Sequence, residues 1–312
     1  MKASARIWGT PDSLQPLLST GRRIVTDVAQ PENVETSRRN CIGETGENAA
    51  AVHLDTTVML EQFKAEPRPT KVQTGLSGFR FKSTSTYARH ELNRTWLRDL
   101  AYLYTAAMQV KSIADLYARI GSSFSGGQQN RLTRCLEIVQ KHLGQVPTNV
   151  SLDEALLRLR EHLSHATLNA QKYWDSLVHH HFDETRCVRA WVRPQRGDDD
   201  RIDYRLTQCR RDKIRCNIHK LFNAEYPKFA ALVAQTTQRG NGASQQSQQA
   251  AEEIQQATTD PERLCDDRVC ARIGDALIAV DSGNVGTLAA NNDADWEPIA
   301  SSLKRKLLNP CK

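Results

Sequence analysis

Acidic and amide side chains stand at four places along the chain where a short apolar run meets a helical pattern or a turn. These places are Asp55, Glu91, Asp275 and the segment that contains Asn292 and Asp295. Carboxylate oxygens are the ligands that Mg²⁺ and Mn²⁺ prefer. Such ions stabilise charge on phosphoryl oxygens and activate a water molecule, as hydrolysis of a phosphodiester requires. If the fold brings the four places together, they indicate metal-assisted phosphodiester hydrolysis.

The residues around Asp55 predict a strand that ends in this carboxylate. The apolar run 50–54 is followed by Asp55 and then by a helical pattern. A carboxylate at a strand end projects into the crevice where α/β sheets bind ligands. Each acid also has a simpler interpretation: Asp55 as a helix cap, Glu91 as a solvated side chain and Asp275 as a partner of a helix N-terminus.

Apolar residues at helical spacing predict three helices in the first half of the chain. The first covers about 87–120, with Glu91 near its beginning, and a run of small residues at 121–127 ends it. The second covers about 132–143. The third covers about 151–178 and opens with a Ser-x-x-Glu capping box.

The second half of the chain mixes irregular and regular segments. Residues 182–216 are irregular and rich in arginine, and a helix is expected at about 217–237. The Gln-, Ser- and Gly-rich tract 239–249 is typical of a flexible linker or an exposed loop. The C-terminal segment predicts, in order, helix 261–270, helix 275–282, strand 286–290, turn 291–295 and helix 297–308.

Three stretches of the sequence resemble segments of the PIN-domain nuclease family. The stretch HLDTTVML is similar to the first strand and acid of that family, and STSTYARHELNR is similar to the helix that carries its glutamate. The ending RIGDALIAVDSGNVGTLAANNDADWEPI is similar to the family's D-x-x-I-A helix start and T-x-[DN]-x-x-D-[FW] motif. The resemblance covers about 50–120 and 260–308. The residues that fall on the family's site positions are Asp55, Glu91, Asp275, Asn292 and Asp295.

This resemblance implies an α/β fold, a PIN-like three-layer sandwich with a mostly parallel central sheet and a large, mainly helical insertion. Residues 50–120 and 260–312 would form the two parts of the core. Residues 121–259 would be the insertion, with its basic stretch and Gln/Ser-rich linker, and residues 1–49 a peripheral or poorly ordered segment.

The same resemblance implies a metal-dependent endonuclease, most specifically an endoribonuclease, with Mg²⁺ or Mn²⁺ as cofactor. Four carboxylates would bind the metal, and Asn292 would complete the site or orient the attacking water. RNA would be the substrate, with single-stranded DNA as a second choice. A partner protein of the antitoxin type is also implied, because the family includes the toxins of bacterial toxin–antitoxin pairs. The four expected metal ligands are Asp55, Glu91, Asp275 and Asp295.

Two positions depart from the family's pattern. Ala290 stands where the family commonly has a threonine, so a hydroxyl that could orient a neighbouring carboxylate is missing. Asn292 offers a neutral oxygen at the fourth acidic position. A catalytically degenerate PIN-like protein that binds RNA or a protein partner is therefore the alternative function.

A basic stretch between Arg186 and Lys220 offers a surface for nucleic acid. It holds eleven Lys or Arg against five Asp, and arginines spaced along a surface contact phosphates without distinguishing one base sequence from another. A solvated face is an equally good interpretation, because Asp198–Asp200 interrupts the run. The residues expected to bind nucleic acid are Arg186, Arg189, Arg193, Arg210, Arg211, Lys213 and Arg215.

Composition limits the classes of protein that the chain can belong to. A hydrophobic share of 39% and a net charge of +6 over 312 residues fit a soluble globular protein that suits an anionic partner. No apolar run is long enough for a signal or a membrane span, so we expect a cytoplasmic protein without a membrane partner. No G-x-x-x-x-G-K-[ST] phosphate loop is present, which argues against an ATPase.

The eight cysteines are expected to be reduced thiols, because they are scattered through a chain too long to need disulfides. The pairs Cys209–Cys216 and Cys265–Cys270 lack the tight repeated spacing of a zinc finger. The histidines 179–181 are typical of a helix C-terminus.

Overall fold

A five-stranded sheet lies at the centre of the described chain. Every neighbouring pair of its strands is parallel, and their order is β3-β2-β1-β6-β7. A separate antiparallel pair joins β4 to β5. The predicted α/β fold with a mostly parallel sheet is thereby confirmed, although β3 comes from the middle of the chain, where helices were expected. The strands are β1 (Ala51–Leu54), β2 (Phe81–Ser85), β3 (His180–Phe182), β4 (Gln195–Arg196), β5 (Ile202–Asp203), β6 (Thr287–Ala289) and β7 (Lys306–Leu308).

The structure is a computed structural model, and it describes residues 51–64, 71–124, 128–197, 201–206, 209 and 216–312. These residues belong to one unit that spans Glu47–Lys312. The predicted peripheral segment 1–49 lies outside the described residues, as do residues 125–127 of the predicted small-residue break. Four of the arginines and lysines expected to bind nucleic acid, Arg210, Arg211, Lys213 and Arg215, also lie outside them.

The strand order reverses direction at β1. From β1 the chain passes to β2 and β3 on one side of it, whereas β6 and β7 lie on the other side. Leu54 at the end of β1 pairs with Ala289 at the end of β6. At such a reversal the connections that leave adjacent strands diverge, and α/β proteins bind ligands in the crevice outside the carboxyl ends. The carboxyl ends of β1 and β6 are therefore the expected place for a site.

The central strands are buried, as a parallel sheet requires. Val52 and Leu54 of β1 are fully buried. The neighbouring β2 is polar, and its hydroxyls are paired with the main chain. Thr84 donates to the Leu54 carbonyl at 2.8 Å, and Ser85 accepts from the first turn of the next helix. These bonds offset the cost of burying a polar strand.

Among the described residues, thirteen α-helices accompany the sheet. The helices predicted at 132–143, 151–178 and 217–237 are confirmed, the last as two helices joined at Glu225. Short 3₁₀ turns cover Val188–Trp191, Gly240–Gly242 and Pro261–Cys265. The α-helices are α1 (Thr56–Lys64), α2 (Lys71–Gly75), α3 (Thr86–Leu92), α4 (Arg98–Met108), α5 (Ile113–Ser123), α6 (Gln129–Leu143), α7 (Leu152–Ser176), α8 (Ile218–Ala224), α9 (Tyr226–Arg239), α10 (Gln245–Ala257), α11 (Asp267–Arg272), α12 (Gly274–Asp281) and α13 (Asp293–Ser302).

The single helix predicted over 87–120 is wrong. A π-helical turn, Asn93–Leu97, joins α3 directly to α4, and α4 ends at Met108. A new helix, α5, then begins because the Ser112 side chain accepts a hydrogen bond from Asp115 N at 3.1 Å and so caps it. The break predicted over 121–127 begins later than expected, since α5 continues to Ser123 and α6 begins at Gln129.

The π-helical turn is hydrogen-bonded to the irregular segment 182–216, called the middle segment below. Asn93 is fully buried, and its amide donates to the carbonyls of Arg189 at 2.9 Å and Ala190 at 3.1 Å. The Tyr204 hydroxyl donates to the Asn93 carbonyl at 3.0 Å. Turns of this type are frequent at functional sites. The irregular segment is thereby fixed to the helix that carries Glu91.

The tract 239–249 is not the flexible linker that its composition predicts. Ser244 caps α10 by accepting from Ser247 N at 3.0 Å. Within α10, Ala251, Ile254 and Ala257 are buried at helical spacing. This narrow apolar stripe is enough to dock a Gln-rich helix, although glutamine dominates its composition.

The end of the chain also differs from the prediction. The closing helix predicted over 297–308 begins at Asp293 within the predicted turn and ends at Ser302. Lys304 takes a positive φ of 54° and turns the chain, so that the last residues form β7. The helix predicted over 261–270 is a 3₁₀ turn followed by α11. Histidines 180 and 181 belong to β3 rather than to a helix end, because α7 stops at Ser176.

We expect Ser151→Ala to lower the free energy of unfolding by about 1 kcal/mol. The Ser151 hydroxyl accepts from Glu154 N at 3.2 Å and caps the longest described helix, α7. Urea unfolding followed by circular dichroism measures the loss. Ser151→Asp is the control, since it keeps an acceptor at the cap and should retain the wild-type stability. An alanine variant as stable as wild type would contradict this role of the cap.

Candidate active site

Asp55 and Asp295 lie at the strand ends where the sheet reverses direction. Asp55 follows β1 directly, and its backbone N–H donates to the Ala289 carbonyl at 2.9 Å. Asp295 stands in the first turn of α13, the helix that follows β6. Both side chains are buried, with exposed fractions of 2% and 6%. The two carboxylates therefore lie beyond the carboxyl ends of adjacent strands.

Glu91 and Asp275 approach the same place from two helices. Glu91 lies on α3, which follows β2, and Asp275 is in the first turn of α12. Gly274 makes the approach of these helices possible, because a Cβ atom at this position would stand 2.7 Å from Glu91 Oε1 and 3.0 Å from the Tyr87 ring. Glu91 and Asp275 are half-buried.

The four carboxylates are close enough to perturb one another. Burial raises the pKa of Glu91 to about 7, and the charge of Asp55 adds to this rise. Burial also raises the pKa of Asp55, with a smaller contribution from Asp295. The pKa of Asp275 is raised well above its usual range by burial and then by the charges of the three other carboxylates. Ionising all four together is therefore costly.

Hydroxyl and amide groups, rather than cations, hold these carboxylates. Thr57 donates to Asp55 and Thr56 donates to Glu91, each at 2.5 Å. In the described part of the chain, none of the four carboxylates forms an ion pair with lysine or arginine. The charge of Arg94 lowers the pKa of Glu91, a smaller effect than burial.

The tract predicted to be a linker supplies two further donors that the sequence did not reveal. Ser244 donates to Asp295, and Gln246 donates to Asp275 at 2.9 Å. The signal that could have identified them is the spacing of Ala251, Ile254 and Ala257, which predicts a helix that begins after Ser244.

The remaining residues of the predicted site have separate partners. Asn292 is exposed, and its side-chain amide donates to Asp295. Asp293 instead contacts Lys312 and accepts from Asn309 at 2.9 Å. Ala290 provides no hydroxyl, but the Thr57 hydroxyl lies 3.5 Å from the neighbouring Asn291 N–H. Asn292 is therefore placed to orient Asp295, while Asp293 belongs to the C-terminal contact.

The four carboxylates are suited to a hard divalent cation, although each of them now accepts a hydrogen bond from a hydroxyl or an amide group. In the part of the chain that the structure describes, no three His, Cys, Asp or Glu side chains are arranged ready to hold a metal. Four converging carboxylates without basic partners nevertheless offer the oxygen ligands that Mg²⁺ and Mn²⁺ take. A bound cation would offset their mutual repulsion, and binding it requires rotation of the carboxylates away from the present donors.

The arginines expected to bind nucleic acid divide into two kinds of environment. Arg186 and Arg193 are exposed, and they follow β3, whose carboxyl end lies on the same edge of the sheet as Asp55. Arg189 is buried and pairs with Asp267 at 2.6 Å. This environment favours a structural role for Arg189 over the predicted contact with phosphate.

A cavity of ≈ 390 Å³ lies away from the acidic cluster. Gly286 and Arg305, which line it, precede β6 and β7. The cavity therefore opens near the amino ends of these strands, the opposite edge from Asp55. Its lining residues include no aspartate, glutamate, histidine or cysteine, so it offers none of the acidic chemistry considered above.

Comparison of the chain with protein-family models, with curated proteins and with solved structures finds no match. Of the helices in the described ranges, none is long and apolar enough to cross a membrane. Function is therefore inferred from the geometry of the carboxylate cluster itself.

We expect the metal-free protein to lose free energy of unfolding, relative to Glu91→Gln, as the pH rises from about 4.5 to about 7. In the unfolded chain this glutamate ionises near 4.5, whereas the folded protein keeps it protonated up to about 7. The folded state therefore binds more protons in this window, and stability falls as they are released. A shift of this size corresponds to about 3 kcal/mol.

Urea unfolding of both proteins in a chelator, at pH values across this window, measures the difference. The difference is the appropriate quantity because burial lowers the pKa of His53 and of His90 to about 3, and these histidines change stability in the opposite sense. A difference between the two proteins that does not vary with pH would contradict the assigned environment of Glu91.

Proposed function

We propose that this protein is a metal-dependent endonuclease of the PIN type, most specifically an endoribonuclease that hydrolyses RNA phosphodiester bonds with Mg²⁺ or Mn²⁺. The observation that carries the proposal is the convergence of four carboxylates from four separate segments at the reversal point of a parallel sheet. Such a cluster destabilises the fold when ionised and is suited to a divalent cation and a phosphate. The resemblance to PIN domains of the three sequence stretches that contain these carboxylates also supports it.

The four carboxylates would hold the metal: Asp55, Glu91, Asp275 and Asp295. Once bound, a divalent cation supplies charge stabilisation at the phosphoryl oxygens and lowers the pKa of a bound water. Before a cation binds, the protein's neutral donors keep the carboxylates in place. Thr57 orients Asp55, Thr56 orients Glu91, and Asn292 orients Asp295.

The exposed arginines of the middle segment would bind the phosphate backbone. Arg186 and Arg193 follow the strand whose carboxyl end shares an edge with Asp55. Contacts of this kind hold a strand without selecting a sequence, which suits RNA and leaves single-stranded DNA as a second substrate. A cytoplasmic location and a neutralising partner of the antitoxin type complete the proposal.

A specific observation favours a second function, a degenerate PIN-like protein that binds RNA or a protein partner without cleaving it. Each carboxylate accepts a hydrogen bond from a hydroxyl or an amide. Asn292 is neutral at the fourth acidic position of the PIN-family pattern. If these contacts are stronger than metal binding, the cluster would hold its shape without a cation.

We expect purified wild type to cleave a mixed pool of RNA and single-stranded DNA in the presence of Mn²⁺, and Asp55→Asn to be slower by at least about 100-fold. Loss of a residue that only hydrogen bonds to a metal ligand costs up to about 100-fold in metal affinity or activity. Asp55 would bind the metal directly, so its loss should cost at least as much. Gel analysis of the products with time gives the rates. Asp293→Asn is the matched control, since Asp293 contacts Lys312 and Asn309 outside the cluster and should retain the wild-type rate.

Equal cleavage by wild type and Asp55→Asn would mean a contaminating nuclease or another site. No cleavage by either protein, with RNA still bound, would instead support the degenerate function. A rise in melting temperature with Mn²⁺ in wild type but not in Asp55→Asn separates a metal site from a cluster that binds none.

We further expect Gly274→Ala to lower the cleavage rate by at least about tenfold, together with a lower melting temperature because the buried Tyr87 ring 3.0 Å from the added Cβ must also shift. The added Cβ would stand 2.7 Å from Glu91 Oε1, so the end of this flexible side chain must move. A displacement of about 1 Å at a reacting centre can cost about 100-fold in rate. Gly78→Ala is the control, because nothing lies within 4 Å of the Cβ added there. Equal rates for the two variants would argue against a role for Glu91.

A further inference from the structure

Five cysteines from three separate segments line one small cavity. Cys187 precedes the 3₁₀ turn Val188–Trp191, and Cys209 and Cys216 lie on either side of the arginine-rich residues 210–215. Cys265 and Cys270 come from the segment just before α12. The two cysteine pairs that looked unrelated in the sequence are thus brought together, with Cys187 as an additional member.

The five thiols lie close to one another. Cys209 and Cys216 are near enough to Cys187 to raise its pKa, and Cys187, Cys209 and Cys216 are near enough to Cys270 to raise its pKa. Cys209 also acts on Cys216, and Cys216 is hydrogen-bonded to Cys265. The group therefore forms one cluster rather than two pairs.

His90 adds a nitrogen to the same cavity wall. It is buried, and its Nδ1 has no hydrogen-bond partner in the described part of the chain. Imidazole nitrogens are common metal ligands. A buried polar atom without a partner is costly, and this one belongs to a residue that lines the same cavity as five thiols.

The cavity accommodates one ion and little else. Its volume is ≈ 10 Å³, about the volume that one water molecule needs. An iron–sulfur cluster would not fit in this space. Arg189, which also lines the cavity, is hydrogen-bonded to Cys209 and paired with Asp267, so positive charge stands next to the thiols.

We propose that Cys187, Cys209, Cys216 and Cys270 bind one thiophilic divalent cation of the Zn²⁺ type, with Cys265 and His90 beside it. Four sulfurs in a tetrahedron are the usual ligand set of a structural zinc site. Cys216 is now hydrogen-bonded to Cys265, and Cys270 donates to the Tyr87 hydroxyl at 3.3 Å, so metal binding requires rotation of these side chains. The proposal does not depend on nuclease activity.

The metal would crosslink the middle segment to the residues next to the candidate active site. Cys187, Cys209 and Cys216 belong to the middle segment, whereas Cys270 precedes Gly274 and Asp275 by only a few residues. Tyr87 and His90, which contact or line the thiol cluster, lie on α3 together with Glu91. Metal binding would therefore fix the helices that present two of the four carboxylates.

Titration of the full chain with Co²⁺, after treatment with a chelator and a phosphine reductant, tests the proposal. We expect about one Co²⁺ per chain to produce the near-ultraviolet absorption of thiolate-to-cobalt charge transfer. Zn²⁺ should then remove this absorption by displacing the cobalt. Co²⁺ bound at the carboxylate cluster would not produce it, so failure here and failure of the proposed function are distinguishable.

Variants locate the site within the chain. Cys216→Ser should lose the absorption and bind the metal more than about 100-fold more weakly, beyond the effect of losing an outer-shell partner. Cys135→Ser is the matched control, because Cys135 is a buried thiol on α6 that does not line the cavity. If Cys216→Ser fails to fold, Zn²⁺ should still protect the cavity cysteines of wild type from alkylation while leaving the reaction of the partly exposed Cys311 unchanged.

Three results would overturn the proposal. The first is binding of Co²⁺ without thiolate absorption, and the second is an absorption that persists in Cys216→Ser. The third is a Cys216–Cys265 disulfide in the freshly purified protein, detected by mass spectrometry, with no stoichiometric metal bound after its reduction.

Discussion

Electrostatic repulsion among four closely placed carboxylates is the constraint on which the rest of this structure depends. Two of them are buried and two half-buried, and in a weakly polarisable interior like charges cannot all be ionised without a counter-charge. A protein can meet this requirement by protonation, by neutral donors or by a cation. The first two are visible in the raised pKa of Glu91 and in the hydroxyl and amide contacts. The third is the basis of the proposed function.

The fold offsets this repulsion by placing three of the four carboxylates at the N-termini of helices. Asp55 precedes α1, and Asp275 and Asp295 lie in the first turns of α12 and α13. The N-terminus of a helix carries a partial positive charge that favours a carboxylate. Glu91 alone lies in the second half of its helix, and its ionised form is favoured by the Thr56 hydroxyl and the charge of Arg94. The parallel sheet makes the arrangement possible because it directs every strand end, and hence every following helix, toward the same edge.

The parts of the fold that could be predicted are those whose signal is local. Asp55 after an apolar strand, the Ser151 cap and the helix that follows it are all encoded within a few residues. The strand β2 (FKSTS) could not be identified from hydrophobicity, since its buried Ser83 and Thr84 hydroxyls are paired with carbonyls of the neighbouring strand β1. The roles of Ser244 and Gln246 depend on how α10 docks, and the thiol cluster depends on three segments that meet only in the folded chain. The approach of segments far apart in the sequence was therefore predicted only where the resemblance to PIN domains indicated it.

The π-helical turn at Asn93–Leu97 limits how this chain can vary in length. Each residue in a helix rotates the next side chain by about 100°, so one deletion in the turn would rotate Glu91 out of line with the core-facing residues of α4. The same deletion would move Asn93 away from the Arg189 and Ala190 carbonyls that it holds. Exposed positions of the helix are free to change in type, but the number of residues between Glu91 and Leu97 is not. In a collection of homologous chains, insertions and deletions should therefore be missing from this interval even where its amino acids differ.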